Sequence, residues 1–343
     1  MLRRIALWMG VAILSLAGLV IAAYVYGIRL DWSGNMSTVR LKNFARVNSA
    51  VEENRAAQRS LPPPAPAPVD KPVEAPMPVS TATQQPVKIN YWTDFRGPHR
   101  AGAYNETPIN TDWPASGLPR LWKQPIGGGY ASFTVGDGRA YTIEQRRDKE
   151  AVTAYDVVTG RELWAFTYPA SFDEVLGGPG PRATPVYYDG LIYSLGAMGD
   201  FYCLSAATGK PKWSKNILAD NDTKNIHWAM SGSPLIVDDM VIVTPGGSNG
   251  KSIVAYHRLT GEPVWRSLDD RAAYTSPILA TLAGQRQIVW ISGERAVGIA
   301  VQDGRLLWDY AFPAQMDMNC SQPVIVDDDD VLLSSDKGLA LRC

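Results

Sequence analysis

Ala255-Tyr-His-Arg-Leu-Thr-Gly261-Glu-Pro-Val-Trp265 decides the fold, because the same arrangement occurs three more times. The other copies are Ala154-Tyr-Asp-Val-Val-Thr-Gly160-Arg-Glu-Leu-Trp164, Cys203-Leu-Ser-Ala-Ala-Thr-Gly209-Lys-Pro-Lys-Trp213 and Gly298-Ile-Ala-Val-Gln-Asp-Gly304-Arg-Leu-Leu-Trp308. Each runs from a strand-like stretch into a small turn ending in glycine, with a tryptophan four residues later. The copies recur at roughly 40–50 residues, the period of a four-stranded propeller blade rather than of a helical repeat.

A second column keeps the same phase. Pro185, Pro234, Pro277 and Pro323 each follow a Thr, Ser or Gln and open a short apolar run, and Phe133 stands at the matching place in a first unit. Proline is tolerated at the first residue of a strand, where its missing N–H breaks no ladder bond. Asp189-Gly190 and Asp238-Asp239 then turn the chain into another apolar run. In the first column, Thr-Gly or Asp-Gly supplies the left-handed residue of a short hairpin without a Cβ penalty. Asp156 is placed to bond the turn amides, Ser205 and His257 less well and Ala300 not at all. Trp164, Trp213, Trp265 and Trp308 are expected to lie between blades, flat on the small residues Ala154, Cys203, Ala255 and Gly298.

The pattern Ala-x-Asp-x-x-x-Gly-x-x-x-Trp resembles the tryptophan-docking repeat of quinoprotein-type (PQQ-like) β-propellers. That superfamily includes quinone-dependent alcohol dehydrogenases and the propeller lipoprotein of outer-membrane protein assembly. Tyr91-Trp-Thr-Asp-Phe-Arg-Gly-Pro-His-Arg-Ala-Gly102 is similar to the Trp-x-x-Phe-Arg-Gly-Pro start of many bacterial PQQ-like repeat proteins. The resemblance covers residues 91–343 and implies an all-β propeller of four-stranded antiparallel blades. It further implies either a binding scaffold for a ligand or a protein, a PQQ-dependent oxidoreductase, or an outer-membrane assembly factor.

Ahead of the repeats, Ile5 to Ile28 carries no charged residue, enough at about 24 residues to span a bilayer core. Arg3 and Arg4 precede it and favour a cytoplasmic N-terminus, although Arg29, Arg40, Lys42 and Arg46 follow. A cleaved signal peptide is the rival reading, but its apolar core is usually only about 7–15 residues. The resulting organisation is a cytoplasmic tip (1–4), a transmembrane signal anchor in the inner membrane (5–28), a polar and Pro-rich linker (29–90) and a periplasmic propeller (91–343). Residues 43–60 are polar with helical potential, and Leu61 to Pro78 reads as a semi-rigid polyproline spacer.

Composition excludes other classes. A net charge of −1 with no basic stripe leaves no nucleic-acid footprint. The three cysteines include no adjacent pair, Cys203 stands in the small-residue column, and a Cys320–Cys343 bridge is conceivable. The three histidines have no zinc spacing, and there is no nucleophile elbow or phosphate loop.

The units Ser132–Trp164, Pro185–Trp213, Pro234–Trp265 and Pro277–Trp308 are complete, while Pro323–Cys343 begins a fifth. The chain thus reads as about four and a half blades of a truncated propeller, with Trp122 ending a blade whose other strands lie elsewhere. An intact four- or five-bladed ring is the alternative.

In such blades the Gly turns share one end with the A–B turns, leaving the long irregular loops at the other. Long loops on a rigid scaffold are where binding sits. That end collects Glu144, Gln145, Arg146, Arg182, Asp200, His227, Trp228, Lys251, Tyr274, Arg295 and Asn319. From these, Arg182, Trp228 and Tyr274 are nominated as a cofactor- or ligand-binding set: a cation for an anionic or quinone-like ligand and aromatic faces for stacking. The competing reading of Arg182 is a rim ion pair with Glu144 or Asp173. The resembled dehydrogenases hold PQQ with a vicinal Cys-Cys disulfide, a tryptophan platform and a calcium ion on Glu, Asn and Asp. No Cys-Cys pair occurs here, and Asp173, Glu174, Asp220, Asp222 and Asp327–Asp330 fall in no such motif.

Overall fold

A computed structural model of the protein describes residues 2–26, 28–31, 40–62, 92–104, 108, 111–174, 177–327, 330–335 and 338–339. The chain divides into two compact units, 1–61 and 62–343.

The first unit opens with α1 (Leu2–Val25), which contains a stretch, Trp8–Val25, long and apolar enough to cross a membrane, with mean hydropathy 2.1. The helix stops short of Ile28, which instead starts β1 (Ile28–Asp31), antiparallel to β2 (Arg40–Asn43). The polar stretch that follows forms α2 (Phe44–Ser60). Residues 63–91, which include most of the proposed polyproline spacer (Leu61 to Pro78), lie outside the described residues.

The second unit is built of four antiparallel sheets, each of four consecutive strands. The first blade holds β3 (Thr134–Gly136), β4 (Arg139–Arg146), β5 (Lys149–Asp156) and β6 (Glu162–Pro169). The second holds β7 (Val186–Tyr188), β8 (Leu191–Leu195), β9 (Asp200–Ser205) and β10 (Pro211–Asn216), after which comes α3 (Ile217–Asp220). The third holds β11 (Leu235–Val237), β12 (Met240–Val243), β13 (Ile253–His257) and β14 (Pro263–Ser267). The fourth holds β15 (Ile278–Leu282), β16 (Gln285–Ile291), β17 (Arg295–Ala300) and β18 (Leu306–Ala311). A fifth unit begins with β19 (Val324–Ile325) paired to β20 (Val331–Leu332), followed by β21 (Ser334–Ser335) paired to β22 (Gly338–Leu339). The architecture is a partial β-propeller.

Two repeated contacts join the blades. The first explains the glycine and tryptophan columns. Trp164 donates its indole N–H to Ala206 O (3.0 Å), Trp213 to Arg258 O (2.9 Å) and Trp265 to Val301 O (3.0 Å), each in the Gly turn of the following blade. A Cβ on Gly209 would stand 2.6 Å from the Trp164 ring, so glycine is required there both for its φ of 69° and for the indole above it. The flat tryptophan therefore lies on the next blade's glycine. This corrects the expectation for the small residues: Ala154, Cys203, Ala255 and Gly298 instead stand opposite their own blade's tryptophan across a bulge.

Two further tryptophans differ from each other. Trp122 docks on the first blade as Trp164 docks on the second, donating to Val157 O (2.8 Å) over Gly160. Trp308 bonds Gln287 Oε1 of its own blade (2.5 Å) and is half-buried, as is Trp213, whereas Trp164 and Trp265 are buried.

The second contact explains why Thr, Ser or Gln precedes the prolines. Ser132 N–H donates to Thr184 Oγ1 (2.9 Å), Thr184 N–H to Ser233 Oγ (3.0 Å), Ser233 N–H to Ser276 Oγ (2.9 Å) and Ser276 N–H to Gln322 Oε1 (3.1 Å). This ladder crosses every blade junction where the first strands begin. Apolar clusters fill the space between sheets, with Tyr193, Phe201 and Cys203 of the second blade against Val241, Val254 and Tyr256 of the third.

Candidate functional site

Strand pairing fixes which turns share an end. Val157 N–H, in the first Gly turn, donates to Gly138 O of the A–B turn (3.1 Å), and Ala206 to Gly190 (2.9 Å) and Arg258 to Asp239 (2.8 Å) repeat the bond. The opposite end carries the long loops around 124–131, 170–184 and 217–233.

At that end Arg182, Trp228 and Tyr274, from three different blade junctions, come together. The Trp228 and Tyr274 rings lie 5.7 Å apart at 57°, and Trp228 N–H donates to the Tyr274 hydroxyl (3.2 Å). Gly177 fills the gap between Arg182 and Trp228. A Cβ there would be 3.0 Å from the guanidinium, tight enough that the arginine would have to give by a few tenths of an ångström, and 3.4 Å from the indole, an ordinary packing contact. His227 extends the cluster, edge-on to Trp228 at 4.7 Å.

Arg182 is half-buried and makes no rim ion pair with Glu144. Its guanidinium lies 4.4 Å over the Phe172 ring and 5.5 Å over Tyr130. It donates to the carbonyls of Gly180, Gly178 (3.1 Å) and Gly177 (3.4 Å), holding the 177–180 segment around itself. Burial pulls its pKa below the ordinary arginine value, against the opposing pull of Tyr130, Glu174, Glu150 and Asp173. Tyr130 N–H in turn donates to Pro181 O (2.8 Å), and Phe172 N–H to the Gln145 side chain (2.8 Å). The face is thus an aromatic surface of Tyr130, Phe172, Trp228 and Tyr274 around one cation.

Most of the other nominated polar residues are engaged structurally. Glu144 accepts from Arg146 (2.7 Å), which also reaches Glu162 (2.6 Å); all three are buried in the first blade. Burial alone would lower the Arg146 pKa, but the two carboxylates hold it above the ordinary arginine value. Lys251 pairs with Asp222, and Arg295 with Asp270 (2.7 Å) and Asp309 (3.3 Å). Asn319, buried, anchors Ser292 O (2.8 Å) and Phe312 O (2.9 Å) through its side chain and receives Tyr274 N–H at its backbone carbonyl (2.9 Å).

Glu150 is not among the residues that the sequence marked. It is fully buried, accepting from the Tyr168 hydroxyl (2.5 Å) and Ala197 N–H (2.9 Å). Burial raises its pKa, with Asp200 adding to the effect and the two hydrogen bonds opposing it. Asp200, on β9, is likewise raised by burial while accepting from Asn216 (3.2 Å). The Phe172 and Gly177 contributions were equally illegible, since they depend on two glycine-rich loops folding against each other.

A cavity of about 240 Å³ lies apart from this cluster, lined by Trp122, Lys123, Gln124, Ile126, Phe133 and Tyr155. It contains none of the three nominated residues. The residues present do not fit a PQQ and calcium site. Cys203 is buried and free, and among the described residues no three His, Cys, Asp or Glu side chains are grouped to hold a metal ion.

The sequence profile of a family described as outer membrane protein assembly factor BamB matches residues 148–342. No curated protein matches. Similar solved structures include BamB from Moraxella catarrhalis, 16% identical over 64% of this chain and 71% of that one, with a TM-score of 0.35. Quinohemoprotein alcohol dehydrogenase from Comamonas testosteroni is 16% identical over 55% of this chain and 44% of that one, with a TM-score of 0.33. The enzyme ADHIIG from Pseudomonas putida HK5 is 15% identical over 61% and 47%, with a TM-score of 0.34. The chain therefore spans less than half the length of these two dehydrogenases. The profile match extends over more than half of the sequence, and the chain belongs to the outer membrane protein assembly factor BamB family.

Proposed function

We propose that this protein is a binding scaffold held on the periplasmic side of the inner membrane by α1, with the Arg182–Trp228–Tyr274 end of the propeller docking a protein partner. The observation that carries the reading is the convergence of these residues from three blade junctions around Gly177. Tyr130, Trp228 and Tyr274 offer rigid amphipathic surface beside the apolar Phe172 ring, and with Arg182 they supply the residue types of protein-binding hot spots. Arg182, already organised by its own loop, supplies a cation that an acidic or carbonyl-rich segment meets without reorganisation. Family membership favours a client or partner in outer-membrane protein assembly. It gives less support to quinone oxidation, for which the donor set is missing.

A photo-crosslinking amino acid at Tyr130, tested in intact membranes, should give a defined adduct with one protein. The same probe at Thr208, in the Gly turn at the opposite end, should give none. Adducts from Thr208 alone would refute the assignment of the face.

A further inference from the structure

Arg100 is buried although it stands in an irregular segment ahead of the first blade. Its five N–H groups meet five acceptors, the whole donor capacity of a guanidinium. Nε donates to Asp94 Oδ2 (3.0 Å), and Nη2 to Asp94 Oδ1 (2.8 Å) and to Pro234 O. Nη1 donates to Pro277 O (2.6 Å) and Ser233 O (3.1 Å). One carboxylate and three backbone carbonyls thus enclose a planar fork. An ammonium ion presents three donors from a single point and cannot span this set.

The backbone that delivers Arg100 is strained. Arg96, His99 and Arg100 have φ of 63°, 54° and 57°, in the left-handed region that non-glycine residues hold only where their surroundings over-determine them. The same segment reaches the first two blades through its other end: Val135 N–H donates to Trp92 O (2.7 Å) and Tyr187 N–H to Thr93 O (2.8 Å). The three carbonyl acceptors of Arg100 lie in the next two. Ser233 belongs to the inter-blade ladder, and Pro277 directly follows Ser276 of that ladder. The loops carrying Trp228 and Tyr274 end at these positions.

We propose that Asp94 and the starts of the first strands in the third and fourth blades form a guanidinium-binding site, occupied in cis by Arg100. This internal ligand fixes the junctions from which the Trp228 and Tyr274 loops emerge. The site discriminates by donor geometry, accepting a planar guanidinium and rejecting an ammonium of equal charge.

The test is chemical rescue in the full-length protein, solubilised in detergent. Arg100→Ala should melt below wild type. Millimolar ethylguanidinium should raise its Tm by several degrees, while ethylammonium at equal ionic strength does not, and wild type should respond to neither. Equal shifts in wild type and variant, or equal effects of the two cations, would overturn the proposal. So would an Arg100→Lys variant as stable as wild type. Should Arg100→Ala not accumulate as folded protein, the same cations are supplied during refolding and sheet content is read by circular dichroism. Recovery with ethylguanidinium alone supports the site; recovery with both cations or with neither contradicts it.

Discussion

The indole of Trp164 lies against Gly209 of the next blade and donates its N–H to Ala206 in the same turn, so one residue type supplies both the packing and the polar link between sheets. Trp213 and Trp265 repeat this, and Trp308 does not. Trp164→Ala should therefore lower stability by about 3–5 kcal/mol. Trp308→Ala and Trp228→Ala should each cost well under half of that, since both are less buried than Trp164 and neither indole donates to the Gly turn of a following blade. Urea denaturation of the three variants checks the ranking, and equal losses would mean that the blade junctions are wrongly drawn.

Glu150 connects stability to pH. In the folded protein burial holds its pKa above the ordinary 4.5, so the native state keeps this proton to higher pH than the unfolded chain does. Where the native state binds more protons, stability falls as pH rises. The stabilising contribution is complete below the unfolded pKa and is lost from there upward through the folded value. Wild type should gain stability relative to Glu150→Gln when the pH is lowered from about 8 to about 5. A constant difference between the two across that range would show that Glu150 is not titrating in this way.

Cys203 should be chemically silent in the native protein. It is fully buried, and burial pushes its thiol pKa up to about 12, leaving almost no thiolate at neutral pH. Alkylation followed by peptide mass spectrometry should label Cys320, which is exposed, long before Cys203. Rapid labelling of Cys203 without denaturant would contradict the packing between the second and third blades.

Membrane topology is separately testable. A reporter active only in the periplasm, fused after Gln85, should be active if α1 is an uncleaved anchor with its N-terminus inside. Activity from a cytoplasm-only reporter at the same position would reverse the orientation.

The blades were legible because their determinants are local. Thr159, Thr208 and Thr260 accept the amide two residues on, past the left-handed glycine, a bond that short-range sequence encodes. The Thr, Ser or Gln before each proline was visible as a column, but its purpose was not, because its partner lies one blade away. Arg182, Trp228 and Tyr274 could be nominated from loop length and residue type. Their meeting depends on loops from three blade junctions that fold against each other, with Gly177 between Arg182 and Trp228, which no spacing in the sequence displays. The sequence also suggested Glu144 as an ion-pair partner for Arg182. Arg146, two residues away on the same strand face, takes that carboxylate first. Glu150 was hidden for a similar reason, since only the second blade's Ala197 and the outer strand's Tyr168 enclose it.

The central claim is that a partner docks on the Arg182–Trp228–Tyr274 end. Hydrogen exchange, measured with and without the protein captured through Tyr130, tests it most directly. The account predicts slowed exchange in peptides spanning 126–131, 172–182 and 225–230, reduced or lost in Arg182→Ala. It predicts no change in 157–161 or 206–210. Protection confined to those Gly-turn peptides would contradict it.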